Sequence, residues 1–327
     1  APSLSGLSPK ASAAGAARFT LVVEGRNFVE GAKVLWDGTE RETQFVDSTR
    51  VQAVIPEADV AAAGASLVSV ANPEPGGGLS NAQVFNHIET LLYPRLVTAS
   101  RPAGSAADVS EYTGIAFTNL GLRELAVTFT AFDKDGVPIT GTGITNPALV
   151  PVGAGEQRAV LDWQVFGDGL PARKPEGWFR METSGSGLAG FFLMLNETGS
   201  ILDGADVSAQ TAATYIVPEI EEGGFTQLHV VNPDINSSEL LFELYGSDGN
   251  LRGPAVSRTL GANGAVVEKV AEMFAGVTVQ ATDYIRVVSN RGIGLFEYFG
   301  RSCIYVEGLN GQDAAGGGTP LYSPQYV

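Results

Sequence analysis

Only one cysteine, Cys303, and two histidines, His87 and His229, occur among the 327 residues. A single Cys permits no intramolecular disulfide and no cysteine-rich zinc site, and two His leave little for acid–base or metal chemistry. Basic residues are also scarce, with 20 Lys and Arg against 36 Asp and Glu, a net charge of −16. Nothing here would neutralise phosphates at scale, which excludes nucleic acid as a partner and disfavours attachment to an anionic lipid surface. No apolar run approaches bilayer-spanning length, and the densest, such as Phe191–Leu195, are strand-sized, so no membrane insertion is expected. The first residues hold no basic stretch followed by an apolar one. No Gly-x-Ser-x-Gly elbow, Walker loop or His-Glu-x-x-His occurs. The triplets Gly76–Gly78 and Gly316–Gly318 lack a following phosphate-binding helix and read as loops. These absences point away from an enzyme and from any cofactor.

What the chain does have is glycine and proline, 41 and 17 of them, punctuating apolar segments of period two. Phe19–Val23, Lys33–Trp36 and Ser66–Ala71 alternate as short strands, separated by Glu24-Gly25, Asp37-Gly38 and the run from Asn72 to Gly78. Regular short strands with such turns indicate a β-sandwich. Ala58–Gly64 is alanine-rich but long enough only for one helical turn. The length allows two or three domains.

Six blocks in the first ninety residues keep a recognisable order: Pro2–Pro9, Phe19–Phe28, Val34–Gly38, Val54–Pro56, Val68–Asn72 and Gly78–Phe85. Together they resemble an IPT/TIG domain, an immunoglobulin-like module shared by plexins, some transcription factors and many bacterial surface proteins. The resemblance implies an early-set sandwich over residues 1–88, with Asn27 in a strand-end turn, Phe28 in the core and Ser80-Asn81 before the last strand. Related domains in transcription factors contact DNA, a role the acidity here opposes. His87 is expected in the linker after this module.

The remainder contains an internal duplication. Thr113–Asn119 aligns with Thr226–Asn232, placing Ala116 opposite His229, and Val127–Gly136 aligns with Leu240–Gly249. Phe166 then matches Phe274, Arg180 matches Arg286, Gly190-Phe-Phe matches Gly294-Leu-Phe, and Leu202-Asp-Gly matches Val306-Glu-Gly. Leu92–Val97 and Tyr215–Ile220 open the two units, and Leu321–Val327 repeats their pattern. The expected organisation is all-β: three tandem β-sandwich domains at 1–88, 89–212 and 213–327, the last two a duplication. Asp135-Gly136 and Asp248-Gly249 should be hairpin turns. Val266, Val267, Val270, Met273 and Phe274 fall at helical spacing, predicting a short amphipathic helix, with a helical counterpart near Ala159–Phe166.

Candidate sites are few. Asp133/Asp135 and Asp203/Asp206 alternate carboxylates with Gly as a calcium loop does, but lack further ligands and read first as polar turns. Cys303 sits in an apolar context that suits a packed small residue. Trp163, Trp178 and Phe179 flank the long loop Gly167–Pro175 and are the ligand-binding candidates, able to stack on a sugar ring or anchor a partner, although large aromatics more often supply core area. The expectation is a non-catalytic, extracellular or cell-surface bacterial protein used for binding, adhesion or spacing, with a protein or glycan as partner. The alternatives are a carbohydrate-binding accessory region of a secreted glycoside hydrolase, or a hydrolase with paired carboxylates in a cleft.

Overall fold

The computed structural model describes residues 1–75, 77–100, 110–173, 176–196, 202–207, 211–221, 223–301 and 305–314. The duplicate's Cys303, the Gly316–Gly318 triplet and the closing Leu321–Val327 pattern lie outside the described residues. Strand follows strand throughout, and the helices are single turns.

The first sandwich contains β1 (Ser3–Ser8), β2 (Ala11–Ala13), β3 (Phe19–Arg26), β4 (Lys33–Trp36), β5 (Thr39–Glu40), β6 (Thr43–Asp47), β7 (Arg50–Ile55), β8 (Gly64–Asn72), β9 (Gly78–Leu79) and the start of β10 (Gln83–Val97). One sheet runs β1-β3-β7-β6 and the other β10-β8-β4-β5, with β2 parallel to β10 and β9 on β8. Alternate residues of both sheets, among them Leu21, Val23, Val34, Trp36, Val68 and Phe85, fill the core. Asn27 adopts φ 59° at the end of β3 and turns Phe28 into that core. Asn81 accepts from the Leu4 backbone N–H at 2.9 Å and donates to its carbonyl, pinning β1. The alanine-rich segment supplies one 3-10 turn, Glu57–Val60. His87 lies inside β10, not in a linker, 6% exposed and stacked on Trp36 at 5.7 Å.

No linker separates the first sandwich from the next. β10 pairs with β8 and β2 up to Ile88, and from Glu89 to Val97 pairs with β16 (Glu176–Thr183). Between them come β11 (Ala99–Ser100), β12 (Ser110–Asn119), β13 (Leu125–Asp133), β14 (Ala148–Val152), β15 (Gln157–Leu161), α1 (Asp162–Phe166) and α2 (Leu170–Arg173). After β16 follow β17 (Leu188–Asn196) and β18 (Leu202–Asp206). The second sandwich packs the sheet β14-β13-β16-β10 against β15-β12-β17-β18.

The third has β19 (Ala212–Val217), β20 (Phe225–Val231), β21 (Ser238–Tyr245), β22 (Val256–Leu260), β23 (Ala265–Lys269), α3 (Val270–Met273), β24 (Tyr284–Arg301), β25 (Tyr305–Asn310) and β26 (Gln312–Asp313). Its sheet orders, β22-β21-β24-β19 and β23-β20-β24-β25, repeat those of the second sandwich. β24 does the work of both β16 and β17, running through the point where Ser184–Gly187 breaks the earlier pair. The expected helices prove shorter than their spacing suggested. Gln157–Leu161 and Ala265–Lys269 are strands, because stiff β-branched side chains at Val160, Val266 and Val267 favour the pleat, and each helix is one turn after them. Gly136 and Gly249, at φ 81° and 76°, form the two expected Asp-Gly turns.

The two repeats share a core. Phe296 and Tyr298 of β24 and Phe225 of β20 enter the cluster built by Tyr93, Phe129, Phe179, Phe192 and Met194 of the second sandwich. A smaller cluster, Leu92, Phe132, Trp178 and Val231, seals the other side of the joint.

Candidate functional site

A cleft of about 750 Å³ opens where the three sandwiches meet. Its first wall is the segment Ala11–Ala16, held beside β10 by the parallel pairing of β2 and by a bond from the Ala14 N–H to Ile88 O at 2.8 Å. Its second wall is one face of β10 and β16, where Thr90 lies opposite Glu182 and Leu92 opposite Arg180. Thr211, Pro233, Asp234 and Gly292 of the last sandwich form the third.

Arg180 is the best-held group in the cleft. Its Nε lies 3.1 Å from the Glu182 carboxylate, its guanidinium sits 5.2 Å over the Phe132 ring, and Nη1 donates to Pro233 O and Asn263 Oδ1 at 3.4 and 3.3 Å. Asp234 accepts from the Asn236 backbone N–H, which, with Arg291 nearby, holds its carboxyl below the ordinary range. The lining therefore offers a planar donor, two carboxylates and the hydroxyls of Ser12, Thr90 and Thr211, and no aromatic ring. Such a surface suits a polar ligand met through hydrogen bonds.

The aromatic candidates lie elsewhere. Trp178 and Phe179 are both fully buried, which removes them as exposed stacking platforms. As neighbours on β16 they face opposite ways: Phe179 stacks on Tyr93 at 4.2 Å inside the second sandwich, and Trp178 is covered by the third. Trp163, in α1, is half-buried with its ring edge-on to Tyr112 at 4.8 Å. The three do not form one site. The calcium candidates are already occupied by backbone: Asp133 Oδ1 accepts from the N–H groups of Asp135 and Val137, and Asp203 Oδ2 from that of Gly308. Among the described residues no three His, Cys, Asp or Glu side chains gather to hold a metal.

Ionisable groups buried within and between the repeats were not among the sequence candidates. Arg95 pairs with Glu111, both nearly inaccessible, and its guanidinium lies 4.4 Å over Tyr298. His229 is 1% exposed, bonded to Gln227 and facing Arg95; burial, then the nearby cation, push its pKa well down. Glu297 faces the core of the third sandwich, and burial, with Glu219 beside it, pushes its carboxyl up to about 9. Asp162, bonded to Thr98 and to the Trp163 N–H, is pushed by burial up to about 7. The one signal for His229 is that its strand carries apolar residues on both faces, the mark of a strand covered on both sides.

Residues 2–86 match the family model of the IPT/TIG domain. The first sandwich is an IPT/TIG domain. Its β10 then supplies one wall of the cleft. No curated protein matches the chain. Among solved structures, the chain is similar to the Bacteroides ovatus mixed-linkage glucan utilization locus protein SGBP-B in complex with a mixed-linkage heptasaccharide, at 10% identity, 64% of this chain, 53% of that one and a TM-score of 0.23. It is similar to part of a 1.5-MDa bacterial ice-binding adhesin at 11% identity, 96% and 97% coverage and a TM-score of 0.20. A similarity to the I9-I11 tandem of titin has 8% identity, 92% and 93% coverage and a TM-score of 0.17. The chain spans about half the length of SGBP-B and of an auxiliary nutrient binding protein from the same organism. Among the described residues no helix is long and apolar enough to cross a membrane.

Proposed function

We propose that this chain is a non-catalytic binding and spacing segment of a bacterial cell-surface or secreted protein, built of modules at 1–88, 89–212 and 213–327. The observation that carries the reading is the jointing. β10 belongs to the sheets of two modules, and Phe296 and Tyr298 of the last module complete the core of the one before it. Modules joined this way hold a shared cleft in fixed shape, and the partner, a protein or a glycan outside the cell, is met there. The burial of both histidines supports a role without acid–base catalysis. Small-angle scattering tests the spacing role: the intact chain should fit one rigid particle, and an ensemble of freely hinged modules would count against it.

The second reading is a carbohydrate-binding accessory region of a secreted glycoside hydrolase. Arg180, Glu182 and Asp234 in one cleft favour it, because planar polar side chains suit sugar hydroxyls. Polysaccharide pull-down with the chain and with Arg180→Ala decides: retention lost in the variant supports this reading, and no retention on any glycan removes it.

A further inference from the structure

We propose that the outer face of the sheet β12-β17-β18 is a self-association surface that joins two copies of this chain through the same patch on each. The duplication supplies the precedent. Ala116 pairs with Phe191 and its counterpart His229 pairs with Phe296, so Phe191 and Phe296 are the same position. Aligning Gly190-Phe-Phe with Gly294-Leu-Phe by sequence is off by one residue, and a one-residue slip in a strand exchanges its faces. In both repeats the ring lies over a glycine: a Cβ on Gly204 would meet Phe191 Cζ at 2.6 Å, and one on Gly308 would meet Phe296 Cζ at 2.3 Å.

The two faces differ in what covers them. In the second repeat the face is buried along β24 against the first, with Phe296 4.9 Å from Phe192 and Tyr298 under Arg95. In the first repeat Phe191 is 36% exposed, with Leu193 and Leu195 half-buried beside it along the strand. A face covered in one copy of the repeat leaves Phe191 exposed in the other.

The occupant follows from charge. The opening that receives Phe296 carries Arg95 and Phe192; the matching opening of the second repeat carries Glu219 and Glu297. An apolar strand face offers neither a cation nor a hydrogen-bond partner to these two acidic groups, so head-to-tail addition is disfavoured. The same face on a second chain is neutral along β12 and β17, with the Asp206 carboxylate beside Phe191 on the edge strand β18, and its apolar side chains complement themselves. Because the chain carries −16, two copies repel at low salt, and added salt should strengthen an apolar contact between them.

Sedimentation equilibrium on the full chain, from low to high micromolar and at two salt concentrations, tests this. A monomer–dimer equilibrium that tightens with salt is expected, weakened at least about tenfold by Phe191→Glu and kept by Phe191→Leu. An unchanged melting temperature in Phe191→Glu would show that the fold survives. A chain that stays monomeric throughout, a dimer indifferent to Phe191→Glu, or open-ended oligomers would each overturn the symmetric pairing.

Discussion

The indole Nε1 of Trp178 donates to the backbone carbonyl of Asn263 at 2.7 Å, tying the first repeat to the second. Around it the Ala265 N–H donates to Lys134 O at 2.8 Å, and Gly136 approaches so closely that a Cβ there would lie 2.1 Å from Ala262 O. Replacing Trp178 by Phe should keep the stack on Phe132 and lose the hydrogen bond, costing about 1 kcal/mol. Trp178→Ala should cost about 3–5 kcal/mol and loosen the joint. Urea unfolding of both variants measures the difference, and equal losses would mean that the hydrogen bond, not packing, holds the joint.

His229 gives the joint a pH dependence. Its folded pKa lies below the unfolded value, so above pH about 6.5 both states are neutral and the joint has its full stability. As pH falls below that value the unfolded chain binds a proton that the buried ring resists, and stability drops toward the folded pKa. A His229→Gln variant should lose less stability than the parent between pH 7.5 and 5.5. Parallel thermal melts of the two proteins read this difference, and identical pH profiles would contradict it.

Glu297 acts in the opposite direction. With its carboxyl near 9 when folded and about 4.5 when unfolded, the folded protein holds the extra proton, and stability is lost as pH rises from the lower value through the upper. Glu297→Gln removes the penalty. Its stability advantage over the parent should grow by roughly 2–3 kcal/mol between pH 6 and pH 8, measured by urea unfolding at both. An advantage that stays constant would show that the carboxyl is already ionised in the fold.

Calcium should do little. Because Asp133 and Asp203 already spend carboxylate oxygens on backbone N–H groups, millimolar calcium and excess chelator should give the same melting temperature. A rise of several degrees with calcium would reopen the question.

The sequence carried the class well: alternation, Asp-Gly turns and the Asn27-Phe28 corner all follow from local chemistry. It misplaced whatever depended on a neighbouring module. His87 looked like a linker residue because β10 outruns the first sandwich, and Trp178 stood as a ligand-binding candidate beside core packing because its cover lies some eighty residues away in sequence, at Asn263 and Ala265. The Phe191–Phe296 correspondence was hidden because sequence similarity favoured a register that the ladder does not use. The cleft could not be read at all, since its three walls come from three modules.

One strand shared by two sheets has a mechanical meaning as well. A pull applied along β10 loads the hydrogen bonds to β8 on one side of Ile88 and to β16 on the other in shear, with no slack segment between them to extend first. Tension on the chain would therefore pass from the first sandwich to the second as through a single beam.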